Sequence, residues 1–229
     1  MIYPKFIKLF LKNVRNNPNN ILLENENESV TYLEFYKLCI KFKNYIYKYS
    51  GKKVPIVCIL ESKKIFDYVS MIGTIMSGGY YVPINKDMPL KKIHQVIEIC
   101  DANFFSAEKK INLKSNIKFI NKSKISNKNL INISKKYSQS KNAYILFTSG
   151  TTGEPKGVVI TKKNLDTYIE WIIKKIDLKT NEHCSQFISI SFDVSVCDFY
   201  VSICSGGRLF LPNKFDMIFP GNMINKKKI

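Results

Sequence analysis

Apolar side chains near the start of the chain fall at Phe6, Leu9, Phe10 and Val14, with Lys5, Lys8 and Lys12 between them. Spacing of three and four residues predicts an amphipathic helix with those four residues inward. "NPNN" breaks the pattern, and "ILLENENESVTY" alternates on either side of Asn25–Asn27, as a hairpin does. Thr31 followed three residues later by Glu34 predicts a capping box opening a helix over "YLEFYKLCIKFKNYIYKY", with Leu38, Phe42 and Tyr45 at helical spacing and Gly51 beyond its end.

The pattern then alternates between short apolar runs and helical stretches. "VPIVCIL", "YYVPI" and "NFFSA" predict strands. Between them, Ile65, Val69, Ile72 and Met76 share one helical face within 63–77, and Pro89 opens a helix over 90–100. Strand and helix alternating at this pitch predict a mainly parallel sheet flanked by helices, an α/β class. Residues 109–142 turn polar and repetitive, with one plausible strand at Ile117–Ile120, and are read as a surface connection. Beyond it, "AYILF" and "VVIT" predict two strands, 163–176 a helix carrying Trp171, and "QFISI" a strand. Ser191 or Asp193 is placed to cap a helix over "VSVCDFYVSIC". Gly206 and Gly207 end that helix, "RLFLP" predicts a last strand, and the tail "GNMINKKKI" predicts no further element.

Composition agrees with a folded core: of 229 residues, 45% are hydrophobic and 24% charged. The formal net charge of +18 raises the question of nucleic acid or an anionic membrane. The lysines are spread along the chain among asparagines, without an arginine-rich block, so a bias toward Lys, Asn and Ile accounts for the charge and no specific nucleic-acid partner is expected. The six cysteines form no CxxC pair and His94 and His183 stand apart, which argues against a zinc cluster. Cysteines in apolar surroundings read as reduced thiols of a cytoplasmic protein. Lysines interrupt the N-terminal apolar residues, so no signal peptide is expected, and no stretch reaches the length of a membrane span.

Candidate chemistry concentrates in "FTSGTTGEPKG", residues 147–157. Hydroxyls and glycine amides are good ligands for phosphate oxygens, glycine lets the backbone approach, and Lys156 adds a mobile positive charge. The segment lacks the GxxxxGK[ST] pattern and runs strand–loop–strand, so it is a phosphate grip of another kind than the P-loop.

"YILFTSGTTGEPKGVVITKKNL" resembles the nucleotide-binding core motif of the adenylate-forming enzymes, the superfamily of acyl-CoA synthetases, luciferases and the adenylation domains of nonribosomal peptide synthetases. Three more segments agree in order. "VTYLEFYKLC" resembles the first core motif of adenylation domains, and "MSGGYYVPINKDMPLKKI" the second, with Asn85 and Lys86 in place of its usual Asp-Pro. "FDVSVCDFY" resembles the fourth. The resemblance implies that Thr148, Ser149, Gly150, Thr151, Thr152, Gly153 and Lys156 grip the β- and γ-phosphates of ATP.

It further implies that Asp193 pairs with the α-ammonium group of an amino-acid substrate. Physically this is sound, because an ammonium leaving water needs a carboxylate partner. Capping the following helix is the plainer role, and both can hold. Val194 and Cys197 would form walls of the side-chain pocket; both are fairly small and apolar, which points weakly to an uncharged substrate. The same segment also resembles D-alanine–carrier-protein ligases, and the two types stay unseparated here. The implied chemistry uses ATP and Mg²⁺ to make an aminoacyl-adenylate, then passes the acyl group to a phosphopantetheine thiol on a carrier protein. An acyl-CoA synthetase type ligase and a non-catalytic basic binding fragment are the alternatives.

The family's large domain with its lid is about twice this length. Its fifth motif with a Glu near Mg²⁺, its ribose-holding Asp, its hinge and its lid Lys have no counterpart in these 229 residues. The expectation is therefore an incomplete large domain lacking the C-terminal lid, inactive by itself. Residues 1–52 and 185–229 are expected in one lobe and 53–176 in the other.

Overall fold

The computed structural model describes residues 3–51, 53–113, 117–125, 139–149 and 154–229, and of Ser149 the backbone only. These divide into two compact units: Leu38–Ser62 with Phe66–Lys162, and Ile2–Lys37 with Lys63–Ile65 and Lys163–Ile229. Against the expected lobe boundaries, the second half of the helix over 32–49 goes with the first unit and the helix over 162–176 with the second.

The second unit begins with α1, Lys5–Asn16, which buries Phe6, Ile7, Phe10, Asn13 and Val14. Leu9 is only half-buried, because the stripe is centred one residue away from the expected face. β1, Ile21–Glu24, pairs antiparallel with β2, Ser29–Thr31. The Asn25 carboxamide oxygen accepts from the amides of Asn27 and Glu28 at 2.9 Å each, an Asx turn that shapes the hairpin.

α2, Tyr32–Tyr49, opens on the capping box: Glu34 Oε2 accepts from the Thr31 amide at 2.8 Å, and Thr31 Oγ1 accepts from the Glu34 amide at 3.2 Å. Its most buried stripe is Tyr32, Phe35, Cys39, Phe42 and Ile46, whereas the expected Leu38 and Tyr45 are half-buried flanks.

In the first unit β3, Ile56–Leu60, lies between β4, Tyr80–Ile84, and β5, Phe104–Ser106, all parallel. α3, Ile65–Met76, is buried nearly all round, as its apolar composition requires. α4, Leu90–Ile99, packs Ile93, Val96 and Ile97 against Cys58, Val82, Phe105 and Ile145. β6, Lys118–Ile120, adds parallel to β5 within the expected run. β7, Asn142–Ser149, runs parallel to β4, and β8, Pro155–Thr161, turns back antiparallel on β7. The order of the six-stranded sheet is β6-β5-β3-β4-β7-β8.

The second unit resumes with α5, Lys162–Ile176. The expected strand at "QFISI" is not there. β9 lies three residues earlier, at His183–Ser185. Past Gln186, whose amide still reaches the Phe210 carbonyl at 2.9 Å, the chain bends: the Phe192 amide donates to the Ser189 carbonyl at 3.0 Å, and the Ser189 and Ser191 hydroxyls meet at 2.8 Å. Local serine bonding of this sort outcompetes strand pairing.

α6, Ser195–Ser205, ends at Gly206 in the left-handed conformation (φ 84°). β10, Arg208–Phe210, lies between β1 and β9, parallel to both, giving the order β2-β1-β10-β9. The tail corrects a second expectation, since it forms two helices. α7, Lys214–Ile218, starts on a capping box between Asn213 and Asp216, and α8, Pro220–Lys227, has Pro220 in its first turn. Both start signals stand in the sequence.

Candidate active site

The phosphate-grip candidate is the β7–β8 hairpin. Cross-strand register places Phe147 opposite Gly157, Thr148 opposite Lys156 and Ser149 opposite Pro155. Ile145 and Leu146 are buried and anchor the ribbon, while Thr148 and Lys156 are exposed. Gly157 is required by the packing across the ribbon: a Cβ there would lie 2.9 Å from Ile145 Cγ2 and 3.1 Å from Phe147 Cζ. Just after the loop, Glu154 Oε2 accepts from Gln95 Nε2 of α4 at 3.1 Å, which ties the hairpin's mouth to the helix beside it.

Thr148 Oγ1 reaches the Lys156 carbonyl at 3.5 Å, the outer limit of a hydrogen bond, so its oxygen is little engaged. Thr148 and Lys156 are therefore brought together as cross-strand neighbours. Gly150, Thr151, Thr152 and Gly153 lie outside the described residues, and the Ser149 side chain with them.

The three substrate-contact candidates stand where the chain enters α6. Asp193 and Val194 are exposed, and Cys197 is half-buried in the first turn of the helix. The sequence reading expects a cap from Ser191 or Asp193. Neither caps: the N-cap residue is Val194 without a side-chain cap bond, and among the described residues the Asp193 carboxylate accepts only its neighbour's amide, at 2.9 Å from Val194 N. The reason is that the chain is already turning tightly before α6: Val194 is helical (φ −58°, ψ −32°), and the amides of Ser195, Val196 and Cys197 are taken by the carbonyls of Phe192, Asp193 and Val194 at 3.1–3.2 Å, which leaves a side-chain cap no free amide there.

Three residues that no motif singled out gather beside this entry. Tyr168 of α5 lies near the Cys197 thiol and feels the charges of Asp198 and Asp193. Burial first, then the neighbouring thiol, pushes its phenol up to about 12. Burial raises the Cys197 thiol, with the nearby Tyr168 opposing and Asp198 reinforcing the shift. Burial pushes the Asp198 carboxyl up to about 6. Gln186 Nε2 donates to Asp198 Oδ2 at 3.3 Å and to the Ile188 carbonyl at 3.0 Å. One signal stands in the sequence: Asp198 is the one charged residue of α6.

Among the described residues, no group of three or more His, Cys, Asp or Glu is placed to hold a metal ion, and no helix is long and apolar enough to cross a membrane. All six cysteines are free thiols.

The family model that matches residues 10–229 is that of the AMP-binding enzyme. The chain belongs to the AMP-binding enzyme family. Gramicidin S synthase 1 of Brevibacillus brevis is 30% identical over 232 residues, covering 97% of this chain and 21% of that protein. The D-alanine--D-alanyl carrier protein ligase of Listeria monocytogenes serotype 4a (strain HCC23) is 32% identical over 171 residues, 70% of this chain and 33% of that protein. The crystal structure of the Vibrio cholerae adenylation domain AlmE, in complex with glycyl-adenosine-5'-phosphate, superposes with a TM-score of 0.81 at 19% identity, over 100% of this chain and 49% of that one. The architecture of mostly parallel sheets flanked by helices is thus that of an adenylate-forming AMP-binding enzyme. The chain spans 21% and 33% of these two curated relatives.

Proposed function

We propose that this AMP-binding chain takes part in activating an amino acid with ATP and Mg²⁺, for transfer to the phosphopantetheine thiol of a carrier protein. The substrate carboxylate attacks the α-phosphorus; a C(O)O–P bond forms, the bond to the β-phosphate oxygen breaks, and pyrophosphate leaves. The carrier thiolate then attacks the acyl carbon, a C–S bond forms and AMP departs.

In this reading the β7–β8 hairpin holds the β- and γ-phosphates. Thr148 and Ser149 offer hydroxyls, the 150–153 segment its amides and hydroxyls, and Lys156 offsets the charge the leaving pyrophosphate gathers. Mg²⁺, when bound, would supply Lewis-acid stabilisation of the phosphates, and no group of side chains among the described residues is placed to hold it. Asp193 pairs with the substrate α-ammonium, and Val194 and Cys197 border its side chain. Carrier-protein transfer is supported by the similarity to a D-alanine--D-alanyl carrier protein ligase.

The observation that carries the amino-acid reading is the Asp193 carboxylate, exposed at the entry to α6 and engaged by one backbone amide. Exchange of labelled pyrophosphate into ATP, by a protein that carries this chain together with the family's lid domain, tests it; the 229 residues alone should not exchange. Amino acids should drive exchange, and Asp193→Asn should lower kcat/KM for them by about a hundredfold through loss of a charged hydrogen bond. Lys156→Ala should raise the KM for ATP by about tenfold. Exchange driven equally by acids without an amino group, and untouched by Asp193→Asn, would refute the reading in favour of an acyl-CoA synthetase type ligase.

A further inference from the structure

The hairpin that presents Lys156 has two faces, and its register separates them. Residues directly opposite in an antiparallel pair share a face of the ribbon. Ile145 lies opposite Val159 and Phe147 opposite Gly157, and Ile145 and Phe147 pack on the cluster that holds Ile93, Val96 and Ile97 of α4. That face is the α4 side. Thr148 lies opposite Lys156, one residue out of step, so these two side chains belong to the other face. Both are exposed there, and Lys156 makes no ion pair among the described residues.

Glu154 precedes Lys156 by two residues. In an extended strand, side chains two apart line one face, which would set the Glu154 carboxylate beside the Lys156 ammonium. The chain takes another course. β8 begins only at Pro155, Glu154 sits in a bend, and its Oε2 accepts from Gln95 Nε2 of α4 at 3.1 Å. The carboxylate is thereby drawn to the α4 side, away from the face of Thr148 and Lys156. A glutamine suits this task, because its carboxamide donates a hydrogen bond without adding a charge. Set on the opposite face, the same carboxylate would offset Lys156 and repel an anionic ligand.

We propose that Gln95 is a positioning residue of the phosphate grip: it holds the Glu154 carboxylate on the α4 side and so keeps the face of Thr148 and Lys156 open to a polyphosphate. The inference rests on the phosphate reading of Lys156 and adds a residue that lies outside all four matched motifs. Without Gln95, the released carboxylate competes with phosphate oxygens for the Lys156 ammonium.

Calorimetric binding of tripolyphosphate to the 229-residue chain, at low and at high salt, tests this. The net charge of +18 draws polyphosphate to many lysines, so the site's own share is the difference between the parent and Lys156→Ala. Gln95→Ala should weaken that share by about fivefold at low salt, and by much less at high salt, where the freed carboxylate is screened. Glu154→Gln should bind at least as tightly as the parent, and Gln95→Ala added to it should cost nothing more, since no carboxylate is left to release. A Gln95 that only stapled the hairpin to α4 would matter equally at both salt concentrations and in both backgrounds. Neither side chain is buried and alanine favours a helix, so the variants keep the fold.

Gln95→Ala binding like the parent, while Lys156→Ala binds more weakly, overturns the inference and leaves the phosphate reading standing. A loss that persists in the Glu154→Gln background, or that salt does not reduce, overturns it as well. If the parent binds no tripolyphosphate, or Lys156→Ala binds it as the parent does, both readings fall.

Discussion

Asp198 carries a charge that the fold disfavours. Burial raises its carboxyl from 3.8 to about 6, and the groups facing it are Gln186, Tyr168, Cys184 and Cys197. Below about pH 4 the group is neutral both folded and unfolded and imposes no penalty. Between pH 4 and 6 the unfolded chain ionises first, so stability falls as pH rises, and above 6 the full penalty is present. Asp198→Asn stays neutral throughout. Urea unfolding should therefore show the variant more stable than the parent at pH 7.5, with the advantage gone at pH 4. An equal difference at both pH values would remove burial as the cause. The charge of Asp198 within α6 is legible, but its surroundings are not, since Gln186 and Tyr168 lie 12 and 30 residues away and meet it only through packing.

At the scale of elements, local chemistry was readable wherever the partners are neighbours in sequence. The Thr31–Glu34 capping box and the hairpin around Asn25–Asn27 are legible because the bonds that shape them close within three residues. The α7 capping box uses the same chemistry without an apolar stripe to mark the helix behind it, because its apolar residues, Phe215 and Ile218 among them, stay exposed. The "QFISI" run shows the reverse error: apolar alternation predicted pairing, yet serine bonding diverted the chain. The β7–β8 hairpin supplies an element-scale test. Gly157→Val would drive Cβ onto Ile145 and Phe147, at a cost of about 1–3 kcal/mol for overpacking. A shifted denaturation midpoint and weakened ATP binding are expected together, because the same ribbon presents Thr148 and Lys156. An unshifted midpoint would show that the two side chains yield without effort.

At the scale of the molecule, the four-stranded unit is closed by contacts between opposite ends of the chain. Glu24 of β1, 6% exposed, is paired with Arg208 of β10 and, at 3.3 Å, with Lys227 of α8. Lys227 also lies over the Phe210 ring at 4.7 Å from its centroid. The Tyr32 hydroxyl donates to the carbonyls of Ser202 and Gly207, and Asn13 Nδ2 donates to those of Ile203 and Cys204. Removing Glu24 leaves two largely buried cations facing each other. Glu24→Ala should lower stability by about 3 kcal/mol, the lower end for a broken buried pair because Arg208 and Lys227 keep some solvent. Hydrogen exchange should quicken in β1, β10 and α8. Unchanged protection of α8 would show that it is held by Met223 and not by the ion triad.

The sequence by itself determined the alternation of strands and helices, the hairpin with its Lys156, and the family motifs that name the chemistry. Each rests on periodicity or on bonds closing within a few residues. Only the tertiary structure decided which face of α2 is buried, where β9 ends, what the tail becomes and which groups surround Asp198. Those outcomes depend on partners from 12 to 170 residues away or on competition between local and long-range bonds, and no short window of sequence contains both sides of such a contest.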